Sequence, residues 1–237
     1  MTNASGPTAT GQLEAVVFDV NETLTDLTPL KEVFTDIGLD RSLLRWWFAV
    51  LLRDGFALAA SGDPAKFSEL ALTALYEVGV DGGHTLPEGA GELLLAAFAK
   101  VPLHPDVSPS LDKLHAAGVR AFALTNGSAA PARQILEAGG VLDSFAEVLS
   151  VDDVGHWKPR SEAYELAIAV AGVAPSRLAM VAVHPWDLHG ASCAGFSTGW
   201  VNREQRSYPG VFRSPTVQSH DLVGVVERLL SLEHPVR

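Results

Sequence analysis

The polar residues best suited to chemistry in this sequence form four short clusters, each of which follows the end of an apolar run. The clusters occupy residues 19–23, 125–128, 156–158 and 184–187. Together they hold carboxylates, a lysine, imidazoles, hydroxyls and an amide, which are groups that act as nucleophiles and move protons. One such residue at a strand end is more often a helix cap, but four clusters at matching places predict a shared site.

The apolar runs that precede the clusters predict buried parallel strands. Five runs have this form, at residues 15–19, 119–124, 147–151, 178–183 and 198–201. Helical patterns separate them, at residues 108–117, 130–138, 161–171 and 188–194. This alternation predicts an α/β fold with a doubly wound parallel sheet, a Rossmann-like core. Because ligands in such sheets bind beyond the carboxyl ends of the strands, the four clusters should meet at one edge.

A long helical insert separates the first predicted strand from the second. Residues 28–100 are rich in Leu, Ala and aromatics at helical spacing, with helix breaks at Gly62-Asp63-Pro64 and Asp81-Gly82-Gly83. We therefore expect a core domain formed by residues 1–27 and 101–237 and a helical cap domain formed by residues 28–100. Cap and core should enclose a cleft.

Composition disfavours several classes of partner. The formal net charge of −11 disfavours nucleic acid, whose phosphates select basic surfaces. The single cysteine, Cys193, allows no internal disulfide and no cysteine metal cluster. No apolar stretch approaches the roughly 20 residues of a membrane-spanning helix, and residues 1–12 lack the pattern of a secretory signal. We expect a cytoplasmic protein with a small-molecule partner, no membrane partner, and a homodimer as a possible assembly.

The clusters also carry a family resemblance. The segments FDVNETL, LTNGS, WKPRSEAYELA and PWDLHGA resemble, in order, the four motifs of the haloacid dehalogenase superfamily. LTNGS, KP followed by Tyr164, and WD followed by GA and GWVNR resemble its type II 2-haloacid dehalogenase branch. The resemblance covers the core, while the cap matches in length and helical character. It implies hydrolysis of a short 2-haloalkanoic acid to the 2-hydroxy acid, with no cofactor and no metal.

The resemblance assigns catalytic roles to Asp19, Lys158, Thr23 and Asp187. Asp19 would attack carbon 2 of the haloacid and form an ester that water then hydrolyses. Lys158 would keep Asp19 ionised, Thr23 would donate a hydrogen bond beside it, and Asp187 would orient Lys158 and the water. The alternative interpretations are that Lys158 is a surface lysine, that Thr23 only packs in a loop and that Asp187 caps a helix.

The resemblance also implies a substrate-binding group. Thr125 and Asn126 match residues that hold the carboxylate or the halide, and Tyr164 matches a tyrosine near the carboxylate; a turn and a buried helix face are the alternatives. Arg45 would cradle the halide, with Arg53 as its rival and an ordinary solvated arginine as the alternative. Four aromatic residues either wall a dry halide pocket or belong to the core: Trp46, Trp47, Phe48 and Phe56.

Asn21 and His184, both assigned to substrate binding, depart from the related families. Phosphatases of the superfamily carry a general-acid aspartate where this chain has Asn21, and dehalogenases usually carry tyrosine there. Halide leaves without a proton, so this loss suits dehalogenation. His184 stands in place of an asparagine, and either it tunes Asp19 or the water, or it only fills space. Glu22 replaces a common glycine.

Two rival functions remain open from the sequence. One is a Mg²⁺-dependent phosphatase or phosphonatase, although Asp19 and Asp187 are few carboxylates for that ion and Ala182 and Val183 supply none. The other is a non-catalytic binding protein that kept the fold. Chelation would separate the enzymes, because a dehalogenase of this type should need no metal.

Overall fold

The apolar run that ends in Asp19 forms a central strand of a parallel sheet. In the computed structural model, which describes residues 13–232, this strand is β1 (Ala15–Asp19), and all of its residues are buried. The other strands are β2 (Arg120–Thr125), β3 (Phe145–Ser150), β4 (Leu178–Ala182), β5 (Ser197–Val201) and β6 (Val217–Ser219). Within the described residues they form one six-stranded sheet in the order β3-β2-β1-β4-β5-β6, and every pairing is parallel.

Helices cover both faces of this sheet, which confirms the doubly wound prediction. They are α5 (Val107–Ala116), α6 (Ala129–Ala138), α7 (Ser161–Ala171), α8 (Pro185–Cys193) and α9 (Leu222–Ser231). Side chains alternate along a strand, so Val16 and Phe18 of β1 belong to the hydrophobic cluster of α5 and α9, and Val17 belongs to that of α7 and α8. The strand order reverses between β1 and β4, which is where ligands bind in such sheets.

Four helices lie between β1 and α5, in the segment for which a cap was predicted. They are α1 (Leu30–Asp36), α2 (Leu43–Ser61), α3 (Phe67–Asp81) and α4 (Ala90–Phe98). Both predicted breaks are confirmed, since α2 ends before Gly62 (φ +87°) and α3 ends before Gly82. The segment's two ends meet where Thr25 and Leu103 form an antiparallel bridge. The division into two domains stays a prediction.

The insert is fastened to the sheet by Trp157, the residue before Lys158. Its indole is buried and donates from Nε1 to the Ala65 carbonyl (2.7 Å). Gly55 of α2 faces the same ring, where a Cβ atom would lie 2.5 Å from the indole carbons. Only glycine lets α2 come this close. This contact places α2 over the carboxyl ends of the strands.

The chain after β5 contains two elements that the sequence analysis did not predict. β6 has only three residues, none of them buried, so it lacks an apolar run. The following helix α9 is amphipathic and begins after Asp221, whose side chain accepts from the Gly224 N–H (2.7 Å) as an N-cap. α8 begins at Pro185, earlier than predicted, because proline is well accommodated in the first turn. No helix within residues 13–232 is both long and apolar enough to cross a bilayer.

Candidate active site

A buried lysine joins the two aspartates that were predicted to be catalytic. Lys158 is fully buried, and its Nζ donates to Asp19 Oδ1 (2.8 Å), Asp187 Oδ2 (2.7 Å) and the Leu124 carbonyl (2.9 Å). These bonds use all three N–H donors of the ammonium. Burial by itself lowers the pKa of Lys158, but Asp187 and Asp19 outweigh burial, so the pKa lies above its ordinary value of 10.5. The lysine is therefore a permanent cation.

The backbone around Lys158 is held by Asn126, which follows β2. The Lys158 N–H donates to Asn126 Oδ1 (2.9 Å), and Asn126 Nδ2 donates to the Lys158 carbonyl (3.3 Å). Thr125, also buried, accepts from the Gly127 N–H through Oγ1 (2.9 Å) and so shapes the turn that presents Asn126. Thr125 therefore has the turn-forming role that was its alternative interpretation. The predicted contacts of Thr125 and Asn126 with a substrate stay predictions.

The Asp19 carboxylate ends β1 and is almost wholly buried. Its Oδ2 accepts from Thr23 Oγ1 (2.6 Å), and Thr23 Oγ1 in turn accepts from the Val183 N–H (3.1 Å). Burial by itself raises the pKa of Asp19, but Lys158 and His184 outweigh burial, so the pKa lies below its ordinary value of 3.8. Asp19 is therefore an ionised carboxylate at neutral pH, in the form that a nucleophile needs.

Asp187 is fully buried in the first turn of α8, and both of its oxygens have partners. Oδ2 accepts from Lys158, and Oδ1 accepts from the Tyr164 hydroxyl (2.8 Å). Burial raises the pKa of Asp187 above 3.8, and Asp19 adds to the rise while Lys158 opposes it. Gly190 makes room for this contact, because a Cβ there would lie 2.4 Å from the Tyr164 hydroxyl. Tyr164 thus contacts Asp187, and its predicted place near a substrate carboxylate stays a prediction.

His184 places its Nε2 among three oxygen atoms. The nearest is the Asn21 carbonyl (3.2 Å), and Asp19 Oδ2 and Glu22 Oε2 each lie 3.6 Å away. The imidazole is stacked against Trp186 (centroids 5.0 Å apart) and faces Phe48 of α2 (6.3 Å). The ring is therefore held beside the Asp19 carboxylate. Asn21 takes part here through its backbone.

Glu22 occupies a backbone conformation that side chains rarely adopt. Its φ of +62° is left-handed, a conformation that glycine adopts without steric cost. Burial raises the pKa of Glu22 above 4.5, with His184 opposing the rise and Asp19 adding to it. The loop after Asp19 is therefore strained at Glu22, and the same residue places a carboxylate beside His184.

A cavity of about 520 Å³ opens beside these residues. It lies between α2 and residues 200–209, and both His184 and Glu22 line it, whereas Asp19 lies behind them. Arg45 also lines the cavity and makes an ion pair with Glu204. The wall carries further cations that would attract an anion: Lys31, Arg203 and Arg206.

The remaining predicted residues divide between the cavity, the core and the surface. Arg53, the rival of Arg45, is exposed, binds Asp54 and Glu77, and does not line the cavity. Among the aromatics, Phe48 lines the cavity, Trp47 is core and donates to the Ala71 carbonyl (2.8 Å), and Trp46 is 56% exposed. Phe56 contacts the Trp186 ring (4.9 Å). The roles of Arg45 and of these aromatics stay predictions.

Arg203 is a site residue that sequence reasoning did not single out. Its guanidinium donates to both oxygens of Asp106 (2.8 and 3.1 Å) and to the Thr23 carbonyl (2.9 Å). It therefore links β5 and α5 to the loop that follows Asp19 and contains Thr23. The signal was present in the segment GWVNR, but an arginine after a strand has no distinguishing pattern without its partners.

The arrangement does not fit a Mg²⁺ ion of the phosphatase kind. Such an ion needs free carboxylate oxygens, but Lys158 Nζ occupies the space between Asp19 and Asp187, and Tyr164 binds the remaining oxygen of Asp187. Residues 13–232 contain no group of three or more His, Cys, Asp or Glu side chains placed to hold a metal.

Comparison with known proteins places the chain in a family. A family model described as haloacid dehalogenase-like hydrolase matches residues 13–195. The chain is 27% identical to haloacetate dehalogenase H-2 of Moraxella sp. (strain B), over 86% of this chain and 92% of that protein. It is 29% identical to (S)-2-haloacid dehalogenase 1 of Pseudomonas sp. (strain CBS-3), over 93% of this chain and 98% of that protein.

Solved structures agree with these relatives. The crystal structure of an L-2-haloacid dehalogenase superposes with a TM-score of 0.88 at 25% identity, over 92% of this chain and 99% of that one. The superfamily expected from the motifs is thereby confirmed: this protein belongs to the haloacid dehalogenase-like hydrolases.

Proposed function

We propose that this hydrolase is a 2-haloacid dehalogenase that converts a short 2-haloalkanoic acid into the 2-hydroxy acid. The observation that carries the proposal is the state of Asp19, which Lys158 holds ionised at a strand end beside a cavity whose wall includes Lys31, Arg45, Arg203 and Arg206. Three carboxylates, those of Glu22, Asp26 and Glu204, line the same wall. The relatives named above are haloacetate and (S)-2-haloacid dehalogenases, which supports the same substrate class.

In the first half-reaction, Asp19 is the nucleophile. Its Oδ1 stays with Lys158, and its Oδ2, on the side of His184 and the cavity, is the attacking atom. Oδ2 forms a bond to carbon 2 as the carbon–halogen bond breaks, and the halide departs with the electron pair. Halide is a very weak base and needs no proton, so the absence of an acid at Asn21 does not hinder this step.

In the second half-reaction, water attacks the carbonyl carbon of the Asp19 ester. Negative charge then develops on Oδ1, which already accepts from Lys158 Nζ (2.8 Å), so the ammonium stabilises the tetrahedral intermediate. The bond from the carbonyl carbon to Oδ2 breaks and releases the 2-hydroxy acid. The product hydroxyl therefore comes from Asp19, and the oxygen of water remains on the enzyme.

The substrate carboxylate is bound from the cavity. Arg45 is the proposed partner because it lines the cavity from α2, and it would exchange its ion pair with Glu204 for the substrate. Asn126 and Tyr164 act behind the reacting atoms, the first by holding Lys158 and the second by holding Asp187. This division leaves the cavity wall to choose the substrate.

A single turnover in heavy-oxygen water tests the proposal. With enzyme in excess over chloroacetate or 2-chloropropionate, one heavy oxygen should appear in the peptide that contains Asp19, detected by mass spectrometry. Asp19→Ala should release no halide, while Asp112→Ala, a control on the exposed face of α5, should behave as the natural chain does. Label found only in the hydroxy acid would indicate direct attack by water and would refute the covalent route.

Chelation separates this proposal from its phosphatase rival. Halide release should persist after exhaustive treatment with a chelator, and added Mg²⁺ should not stimulate it, because the haloacid's charged oxygens are not bonded to the carbon attacked, as those of a phosphate ester are to the phosphorus. Turnover of phosphate esters alone, and only with Mg²⁺, would overturn the proposal. The cytoplasmic location and the homodimer stay predictions.

A further inference from the structure

The two half-reactions of the proposed function differ in their need for a proton. Halide leaves unaided, but the oxygen released from the Asp19 ester would leave as the alkoxide of a 2-hydroxy acid, which is a strong base. Its departure requires an acid that contacts Oδ2. This inference rests on the proposed function and asks which group supplies that proton.

Among the described residues, three side chains lie close to the Asp19 carboxylate. Lys158 is a poor acid because two carboxylates raise its pKa above 10.5, and it binds Oδ1. Thr23 binds Oδ2 (2.6 Å), but a hydroxyl is a far weaker acid than an imidazolium. The third is His184, whose Nε2 lies 3.6 Å from Oδ2. Imidazole is the side chain that most often transfers protons in catalysis.

The surroundings of His184 specify which ring nitrogen carries the hydrogen. All three groups around Nε2 are acceptors, namely the Asn21 carbonyl, Asp19 Oδ2 and the Glu22 carboxylate. Nε2 therefore carries a hydrogen, which the Asn21 carbonyl accepts (3.2 Å), and Oδ2, the oxygen that must leave, lies 3.6 Å from the same nitrogen. Trp186 and Phe48 both stack on the ring (centroids 5.0 and 6.3 Å away) and so limit its rotation.

Glu22 completes the arrangement from the cavity side. Its carboxylate lies 3.6 Å from Nε2 and lines the cavity, together with Glu204 and Arg206. Glu22 has a left-handed backbone (φ +62°), and a glycine there would leave Asp19 as the one carboxylate partner of the imidazole among the described residues. The strain at this position thus accompanies a specific contact.

We propose that His184 is the general acid of ester hydrolysis and that Glu22 is the positioning residue for it. Water adds to the carbonyl carbon of Asp19 and loses one proton to solvent in the cavity. As the bond to Oδ2 breaks, the His184 imidazolium gives its Nε2 proton to Oδ2, which forms the product hydroxyl and leaves a neutral imidazole. The ring regains a proton from solvent past Glu22, and the regenerated Asp19 carboxyl ionises beside Lys158.

A burst experiment tests the role of His184. His184→Asn should release one equivalent of halide per site within about tenfold of the natural rate, while hydroxy acid release slows at least about a hundredfold. The covalent ester should then accumulate and be visible as added mass on Asp19. The control His220→Asn, which replaces an exposed histidine that also lies beside an aspartate (3.0 Å), should leave both rates unchanged.

Chemical rescue supplies a readout that a purely structural role would not move. In His184→Gly, added imidazole should restore ester hydrolysis, and pyrazole, which has the same shape and is a much weaker base, should not. Equal rescue of ester hydrolysis by imidazole and pyrazole would overturn the proposal. It would also be overturned if the substitution slowed the halide burst as much as it slowed ester hydrolysis. If the natural chain releases no halide from any haloacid, it is the proposed function that fails.

A double-mutant cycle tests Glu22 as the positioning residue. Glu22→Gln should slow ester hydrolysis about tenfold in the natural background and have little further effect when His184 is already asparagine, because the two residues act as one unit. Equal slowing in both backgrounds would show that Glu22 acts independently of His184 and would overturn its assigned role.

Discussion

Replacing Lys158 with methionine should remove both activity and much of the stability. Methionine keeps the length of the side chain but takes away the ammonium that two buried carboxylates and the Leu124 carbonyl share. Removing one partner of a buried ion pair costs about 3–5 kcal/mol, because the other charge stays buried and unpaired. A typical domain is stable by only about 5–15 kcal/mol, so we expect loss of about a fifth or more of the free energy of unfolding.

The stability of this variant should also fall as pH rises. Without the ammonium, Asp19 and Asp187 are neighbouring buried carboxylates, so the folded variant binds a proton more tightly than the unfolded chain does. A group whose pKa is raised in the folded state stabilises it below the unfolded pKa, and that contribution is lost as pH rises through the folded pKa. Stability should therefore decline above about pH 4, by up to about 1.4 kcal/mol per pH unit for one proton.

Urea denaturation followed by circular dichroism at pH 5 and pH 8 measures both effects. The matched control is Lys113→Met, which breaks an exposed pair with Glu227 (2.9 Å) and should cost less than about 1 kcal/mol at either pH. A Lys158→Met protein within about 1 kcal/mol of the natural chain at pH 8, or one with equal stability at the two pH values, would refute the reasoning.

Three further predictions concern the cavity, the strained loop and the nucleophile. Arg45→Ala should lower kcat/KM for 2-chloropropionate by at least about tenfold, roughly 1.4 kcal/mol, and Arg53→Ala should not, because only the first lines the cavity; equal losses would move the anion site elsewhere. Glu22→Gly should raise the free energy of unfolding by about 0.5–1 kcal/mol, because glycine adopts the left-handed conformation without strain. Gln205 is the other left-handed non-glycine residue among those described (φ +52°), and Gln205→Gly should have the same effect. Thermal melting of both variants checks this prediction. The halide burst rate should hold until pH drops through the lowered pKa of Asp19; a loss by half above pH 3.8 would show that its carboxylate is not held ionised.

Much of the fold was predictable because its signals are local. The buried runs of β1 and β4 contain no polar interruption before their ends, and the glycines after α2 and α3 mark helix ends directly. β6 escaped prediction for the opposite reason. Its three residues are held by pairing with β5 and carry no periodic pattern of their own.

The site was predictable in its residues and not in its contacts. Asp19, Lys158 and Asp187 come from motifs whose order along the chain is informative, but nothing local indicates that one ammonium bonds to both carboxylates. Arg45 was expected to face a substrate, and its ion pair with Glu204 joins residues 159 positions apart. Long-range pairs of this kind depend on how the insert docks on the sheet, which a single sequence does not record.

The contact between Trp157 and Gly55 indicates which positions around the site tolerate substitution and which do not. At position 55 of α2, even a methyl group would lie 2.5 Å from the Trp157 indole. Trp157 directly precedes Lys158, the residue that holds Asp19. On the opposite side, residues 202–209 border the open cavity, and most of them are exposed. A mutant library aimed at new acids should therefore vary residues 202–209 and the cavity face of α2, and functional members of any random library should retain glycine at position 55.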